Sequence, residues 1–375
     1  MREAFLSPLG VGQAIEEGVD VHATDRSGAV GQSPAVEWVE LAVALVLILA
    51  SAELFTNGVE WVGENLGLSE GVVGSVLAAV GTALPETLLP LVAILLGHGV
   101  KGEEIGIGAI LGAPFMLSTL AMFVVGVSVL VFARRGRRGT DLKGNRRVLL
   151  QDLGYFLVMY TLAIVAGLFH HTWFKVALAV ALLIGYVLYV LRHLRTPEEK
   201  VEEAEAAGEV RPLYLLRILR RAGTSSPPLW GSVTQVGVAL AAMLSGARVF
   251  VLGVDRIAHD FSIPPLALAL LIAPIATELP EKFNSVIWLR RGKDTLALGN
   301  VTGAMVFQSS FPVTIGLLLT PWRLTGDALV AGIVALVAGS ILWLTLRIRG
   351  RLSASLLLAQ GALFAGYVGY VISRL

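Results

Sequence analysis

The chain has 375 residues, 55% of them hydrophobic and only 15% charged, and its mean hydropathy is +0.75. Soluble domains carry about 25% charged residues, so this deficit excludes a soluble globular fold and puts most of the chain in lipid. A net charge of +1 gives no reason to expect a nucleic-acid partner, and the absence of cysteine excludes disulfide frameworks, thiolate metal sites and cysteine nucleophiles.

Residues 1–36 mix glycine, serine, proline and acids, with no basic start leading into an apolar core. They read as a loosely ordered tail outside the membrane, with no cleaved signal peptide. A hydrocarbon core of about 30 Å needs about 20 apolar residues per helix. That ruler predicts spans at 37–61, 71–97, 104–132, 149–168 and 172–192, and then at 231–257, 263–289, 294–320, 327–347 and 353–372. Between them, 193–230 reads as a cytoplasmic linker, either a solvated connector or one with a short amphipathic helix lying on the membrane surface. Four loops, at 134–147, 192–221, 290–293 and 347–351, hold 20 of the 29 basic residues, and all four fall on one side of a ten-span chain. The positive-inside rule puts them in the cytoplasm and both termini outside.

The chain repeats itself. ASAELFTNGVEW at 50–61 matches LSGARVFVLGVDR at 244–256 with Ala52 on Ala247, and at that offset GTALPE (81–86) meets ATELPE (276–281). Four residues short of that offset, GAILGA (108–113) meets GNVTGA (299–304). Three blocks in the same order predict two homologous halves, 37–192 and 231–375, of five spans each. Five is odd, so the second half runs through the membrane upside down, and such repeats place a site near the bilayer midplane.

Each TxLPE block lies inside an apolar span. Proline removes an intrahelical hydrogen bond, so spans 2 and 7 are expected to break at Pro85 and Pro280. Thr82 and Glu86 are four apart, as are Thr277 and Glu281, and each pair can share a helix face. Carboxylates, hydroxyls and carbonyls are hard ligands, suited to Ca²⁺, Na⁺ or a proton. A carboxylate at membrane depth costs about 2.5–3.5 kcal/mol on insertion scales, and carrying that cost twice at equivalent positions points to function. The glycines 108, 112, 299 and 303 read as helix-packing devices.

These blocks resemble the alpha repeats of the cation/calcium exchanger superfamily, which includes the sodium/calcium exchangers. GTALPE and ATELPE are similar to its repeated G-T-S-x-P-E motif, and GAILGAP and LGNVTGAMVFQ to its G-N-x-x-G-S-N segments. The resemblance covers 51–117 and 246–308. It implies a ten-helix membrane protein of prokaryotic type that exchanges Ca²⁺ against Na⁺ or H⁺ by alternating access, with no cofactor. Glu86 and Glu281 would be the central metal ligands, helped by Thr82 and Thr277, while the long spans 1 and 6 slide across the remainder. The chain departs from the family pattern at Ala83, Glu278, Ala113, Ala304, Leu117 and Gln308, which removes several Na⁺ ligands and adds Glu278 and Gln308 to the candidate cation-binding set.

Glu53, Arg248 and Lys282 also lie in spans. Glu278 with Lys282, four apart, and Glu53 with its repeat equivalent Arg248 are expected to cancel as pairs, leaving Glu86 and Glu281 as a double negative charge. Alternatively, Arg248 or Lys282 serves as a built-in cation. The competing functions are a monovalent cation/H⁺ antiporter, a cation channel and an intramembrane enzyme. The enzyme lacks an HExxH motif or any serine–histidine or paired-aspartate arrangement at mid-span, and the channel lacks a filter-like loop. Partners are then the bilayer and the transported cations alone.

Overall fold

The computed structural model describes residues 34–66, 78–97, 99–136, 138–169, 171–193, 212–214, 227–324 and 326–374. The side chains at 34–35, 78–82, 193, 276 and 279–284 lie outside that description. Nearly everything described is helix: α1 (Pro34–Asn65), α2 (Ala78–Leu96), α3 (Gly99–Arg134), α4 (Arg146–Leu168), α5 (Thr172–His193), α6 (Leu229–Asp260), α7 (Pro265–Arg290), α8 (Asp294–Gln308), α9 (Phe311–Leu319), α10 (Gly326–Arg349) and α11 (Ala354–Ile372). Eight stretches among the described residues are long and apolar enough to cross a membrane, α8 and α9 counting as one, and the shorter apolar helices Ala83–Leu96 and Pro265–Ile275 fall where spans 2 and 7 are expected. The tail at 1–33 lies outside the described residues.

The helical backbone runs through Pro85 in α2 and through residue 280 in α7. The expected breaks are therefore corrected: a proline loses one hydrogen bond and bends a helix, but the turns on either side still pair. The irregularities lie one span further on. In α3 a π-turn occupies Leu117–Ala121, and α8 stops at Gln308 with α9 starting at Phe311. At the offset that aligns GAILGA with GNVTGA, Leu117 falls on Gln308, so the two defects occupy matching positions. Paired hydroxyls mark both. Ser118 Oγ donates to the Pro114 carbonyl (2.8 Å) and Thr119 Oγ1 to that of Phe115 (2.6 Å); Ser309 Oγ and Ser310 Oγ donate to that of Val306 (3.0 and 2.8 Å). Such back-bonding offers carbonyls a partner outside the helix ladder and loosens the turn.

Two hydrophobic cores divide the molecule. One gathers α3, α4 and α5 with α7 to α11 around Phe115, Phe156, Tyr160 and Trp322. The other packs α2, the start of α3 and the first half of α7 against α1 and α6, which lie antiparallel with Leu41 opposite Gly253, Ile48 opposite Gly246 and Gly58 opposite Val236. At Gly108 and Gly112 a Cβ would collide with the carbonyls of Leu266 and Leu270, so these glycines let α3 lie directly on the α7 backbone. Gly299 and Gly303 do not follow. Among the described residues a Cβ at Gly299 meets nothing, and one at Gly303 would reach only Tyr189 Oη, at 3.6 Å.

One end of the bundle is clamped. The α3–α4 loop pairs with the α10–α11 turn through β1 (Asp141–Leu142) and β2 (Leu352–Ser353). Arg138, nearly buried, forms an ion pair with Asp294 at the start of α8 (2.7 Å), and the Lys143 amide donates to the same carboxylate (2.7 Å). Arg351 reaches Asp141 at 2.6 Å, and Arg146 donates to the Arg347 carbonyl at 2.8 Å. Several basic residues of these loops are thus structural ties. At the opposite end Lys175 donates to the carbonyls of Pro321 and Trp322, and the Trp322 indole donates to the Ala163 carbonyl at 3.0 Å.

Between the end of α5 and the approach to α6, over 194–226, the described residues are Pro212–Tyr214, and they are docked. Leu213 packs on Trp61, the Tyr214 amide donates to Asn57 Oδ1 (3.2 Å), and Tyr214 Oη donates to Glu53 Oε1 (2.9 Å).

Candidate functional site

Three helices bring three buried polar side chains to one point. Glu86 comes from α2, Glu278 from α7 and Gln308 from the last turn of α8; they are 7%, 1% and 1% exposed. The Gln308 amide nitrogen donates to Glu86 Oε2 at 2.6 Å and lies 3.4 Å from Glu278 Oε1. The two carboxylate oxygens are therefore no more than about 6 Å apart, a separation at which two buried anions repel strongly unless a cation or proton joins them. One amide spans both because α8 ends there: the break at Ser309 leaves Gln308 at the tip of a helix.

The other expected residues fare differently. Thr277 is buried, but its hydroxyl turns back to the Ala273 carbonyl (3.3 Å) on its own helix. The side chains of Thr82, Glu281 and Lys282 lie outside the described residues, so the Glu86–Glu281 couple and the Glu278–Lys282 pair do too. Glu278 stands with Glu86 in the described site. The expected pairing of Glu53 with Arg248 is not formed: Glu53 accepts from Tyr214, and Arg248 is exposed. The reason is geometric. In the antiparallel register of α1 and α6, Glu53 lies level with Ala241 and Arg248 with Val46, seven residues or about 10 Å apart along the axis. Repeat equivalents in an antiparallel pair are displaced to opposite sides of the crossing.

A second buried acid adjoins this region and is not among the expected site residues. Asp152 on α4, 1% exposed, accepts from Thr302 Oγ1 on α8 (2.6 Å) and from Tyr189 Oη on α5 (3.1 Å). The signal that singles out Glu86, an acid within an apolar span, is present for Asp152 as well. Asn300 Nδ2 and Ser285 Oγ, 3.2 Å apart, join α8 to α7 on the same clamped side of Gln308. Among the described residues no group of three or more His, Cys, Asp or Glu is arranged as a metal site.

An all-helical bundle with apolar spans and carboxylates joined at its centre defines a polytopic membrane protein with an intramembrane polar site. More particularly, the chain belongs to the sodium/calcium exchanger protein family, whose model matches residues 36–194 and 231–375. It is 25% identical over 341 residues to the "Putative antiporter CaxA" of Alkalimonas amylolytica, covering 88% of this chain and 95% of that one. It is 24% identical over 282 residues to the inner membrane protein YrbG of Escherichia coli K12, covering 75% and 79% respectively. Among solved structures, the fold is similar to that of the H⁺/Ca²⁺ exchanger CAX, with a TM-score of 0.65, 15% identity, and coverage of 88% of this chain and 81% of that one.

Proposed function

We propose that the protein is a secondary antiporter that exchanges Ca²⁺ against Na⁺ or H⁺ by alternating access, at a site made by Glu86, Glu278 and Gln308. Glu281 is the fourth member, placed by the repeat at the position equivalent to Glu86. One observation carries this reading: a single amide nitrogen from α8 lies between carboxylates of α2 and α7, all three buried in an apolar bundle. Two carboxylates in that setting can take a divalent ion or protons in turn, which is what exchange requires. Family membership supports cation antiport, and the names of its relatives and fold neighbours include an H⁺/Ca²⁺ exchanger and a sodium/calcium exchanger of Methanosarcina acetivorans.

In this reading 37–192 and 231–375 are inverted halves, the clamped end faces the cytoplasm, and both termini lie outside. The test is Ca²⁺ uptake into proteoliposomes under an imposed Na⁺ or H⁺ gradient. Uptake should require the gradient and stop in Glu86→Gln. Uptake with no counter-ion would identify a channel, and flux of monovalent ions without Ca²⁺ would move the substrate class to Na⁺ or K⁺ against H⁺.

A further inference from the structure

The outward face of α10 carries an apolar groove of about 310 Å³, lined by Ile333, Leu336, Val337, Ser340, Ile341 and Leu344. Ser340 makes the depression, a short side chain with longer ones a turn to either side. Ile333, Val337, Ile341 and Leu344 are exposed, so no described helix covers this face. Residues seven apart lie two turns along one side of a helix, so Ile333, Ser340 and Arg347 form a line. That line leads out of the groove to the clamped end of the bundle.

Guanidinium groups gather there without acids. Arg347 and Arg349 close α10, while Arg146 and Arg147 open α4, which runs antiparallel beside it with Phe156 against Gly339 and Ile164 against Gly332. Arg146 donates to the carbonyls of Leu346 (3.3 Å) and Arg347 (2.8 Å), which leaves the rest of its donor fork open. Arg147, Arg347 and Arg349 are exposed, and no acid among the described residues pairs with them. The acids of these loops are taken: Arg351 holds Asp141 (2.6 Å) and Arg138 holds Asp294 (2.7 Å). The first amides of α4 are occupied as well, because Asn145 Oδ1 accepts from those of Arg147 (3.1 Å) and Val148 (3.5 Å). Trp343, half-buried with its indole beside Gly154, stands one turn before Arg347, between the groove and the arginines. Indoles settle at that level of a membrane, where an apolar ring meets the headgroups.

Crowded like charges repel, and an anion with several oxygens relieves them; the planar fork of arginine matches phosphate in particular. A free phosphate would use the arginines and leave the groove idle, whereas a lipid uses both. We propose that this face binds one anionic phospholipid, its phosphate held by Arg146, Arg147, Arg347 and Arg349 and an acyl chain laid in the groove at Ser340. The lipid fastens the end of α10 to the start of α4. This site is distinct from the one at Gln308 and stands whichever ion is transported.

The test is native mass spectrometry of the purified full chain, stripped of lipid in detergent and titrated with phosphatidylglycerol or with phosphatidylcholine of the same acyl chains. The parent should hold one phosphatidylglycerol about tenfold more tightly than phosphatidylcholine. A basic residue at a membrane surface is worth a factor of about five, so Arg347→Gln combined with Arg349→Gln should remove that preference. The equal charge change Arg290→Gln with Arg291→Gln, at the end of α7, should leave it intact. Ser340→Phe fills the groove and keeps every charge; it should weaken phosphatidylglycerol by about fourfold or more, the factor for one buried methylene. Equal retention of the two lipids by the parent would overturn the proposal without recourse to any variant. So would an unchanged preference in the Arg347 and Arg349 double variant, an equal loss in the α7 variant, or unchanged binding in Ser340→Phe. Displacement of phosphatidylglycerol by glycerol phosphate at the same concentration would mark a site for free anions, and would overturn it too.

Discussion

Gln308 aligns with Leu117 in the sequence repeat, so of the two matched positions one carries an amide and the other an apolar side chain. Hydrogen bonds to charged groups are worth about 1.5–3 kcal/mol. Gln308→Leu should therefore weaken Ca²⁺ binding by tenfold or more, measured by calorimetry on the detergent-solubilised protein. It should also lower thermal stability in ion-free buffer at neutral pH. Glu278→Gln should spare stability but abolish Ca²⁺-dependent transport. Glu86 is legible from the sequence because an acid beside a proline in an apolar span is too costly to persist without a use. The role of Gln308 is legible only as a substituted family position, since what gives it reach is the helix end at Ser309, a feature of backbone pairing that no local motif announces.

At the scale of elements, glycine spacing alone does not distinguish the two halves. Gly108 and Gly112 accept the α7 backbone, while their counterparts Gly299 and Gly303 face no such contact among the described residues. Overpacking a tight contact costs about 1–3 kcal/mol. Gly112→Ala should lower the melting temperature measurably, whereas Gly303→Ala should leave it near the parent value; thermal unfolding monitored by circular dichroism checks both. Hydropathy locates the helices well, because about 20 apolar residues in a row have few alternatives in water or lipid. The helix defects lie one span away from where the prolines point. Proline advertises a break in sequence, yet the interruptions at 117–121 and 309–310 arise where serine and threonine hydroxyls compete for carbonyls, and those residues are common in unbroken helices.

Across the whole molecule, one nearly buried ion pair among the described residues joins parts far apart in the chain. Arg138 and Asp294 are 9% and 6% exposed, and the same carboxylate takes the Lys143 amide. Removing one partner of a buried pair costs about 3–5 kcal/mol, because the other charge is left behind. Arg138→Ala should thus destabilise the protein far more than Arg351→Ala, whose ion pair with Asp141 is exposed, and urea unfolding should rank the two accordingly. The sequence shows a crowd of arginines in these loops, from which an orientation is expected, but not which of them are tied.

The docking of Tyr214 joins a further pair of observations. Leu213 and Tyr214, between the two matched stretches of sequence, are pinned to α1. Whatever α1 does, this short segment follows it. If α1 moves in the proposed exchange cycle, a dye attached near position 214, on a chain free of native thiols, will report it as movement against a second dye on the clamped loops.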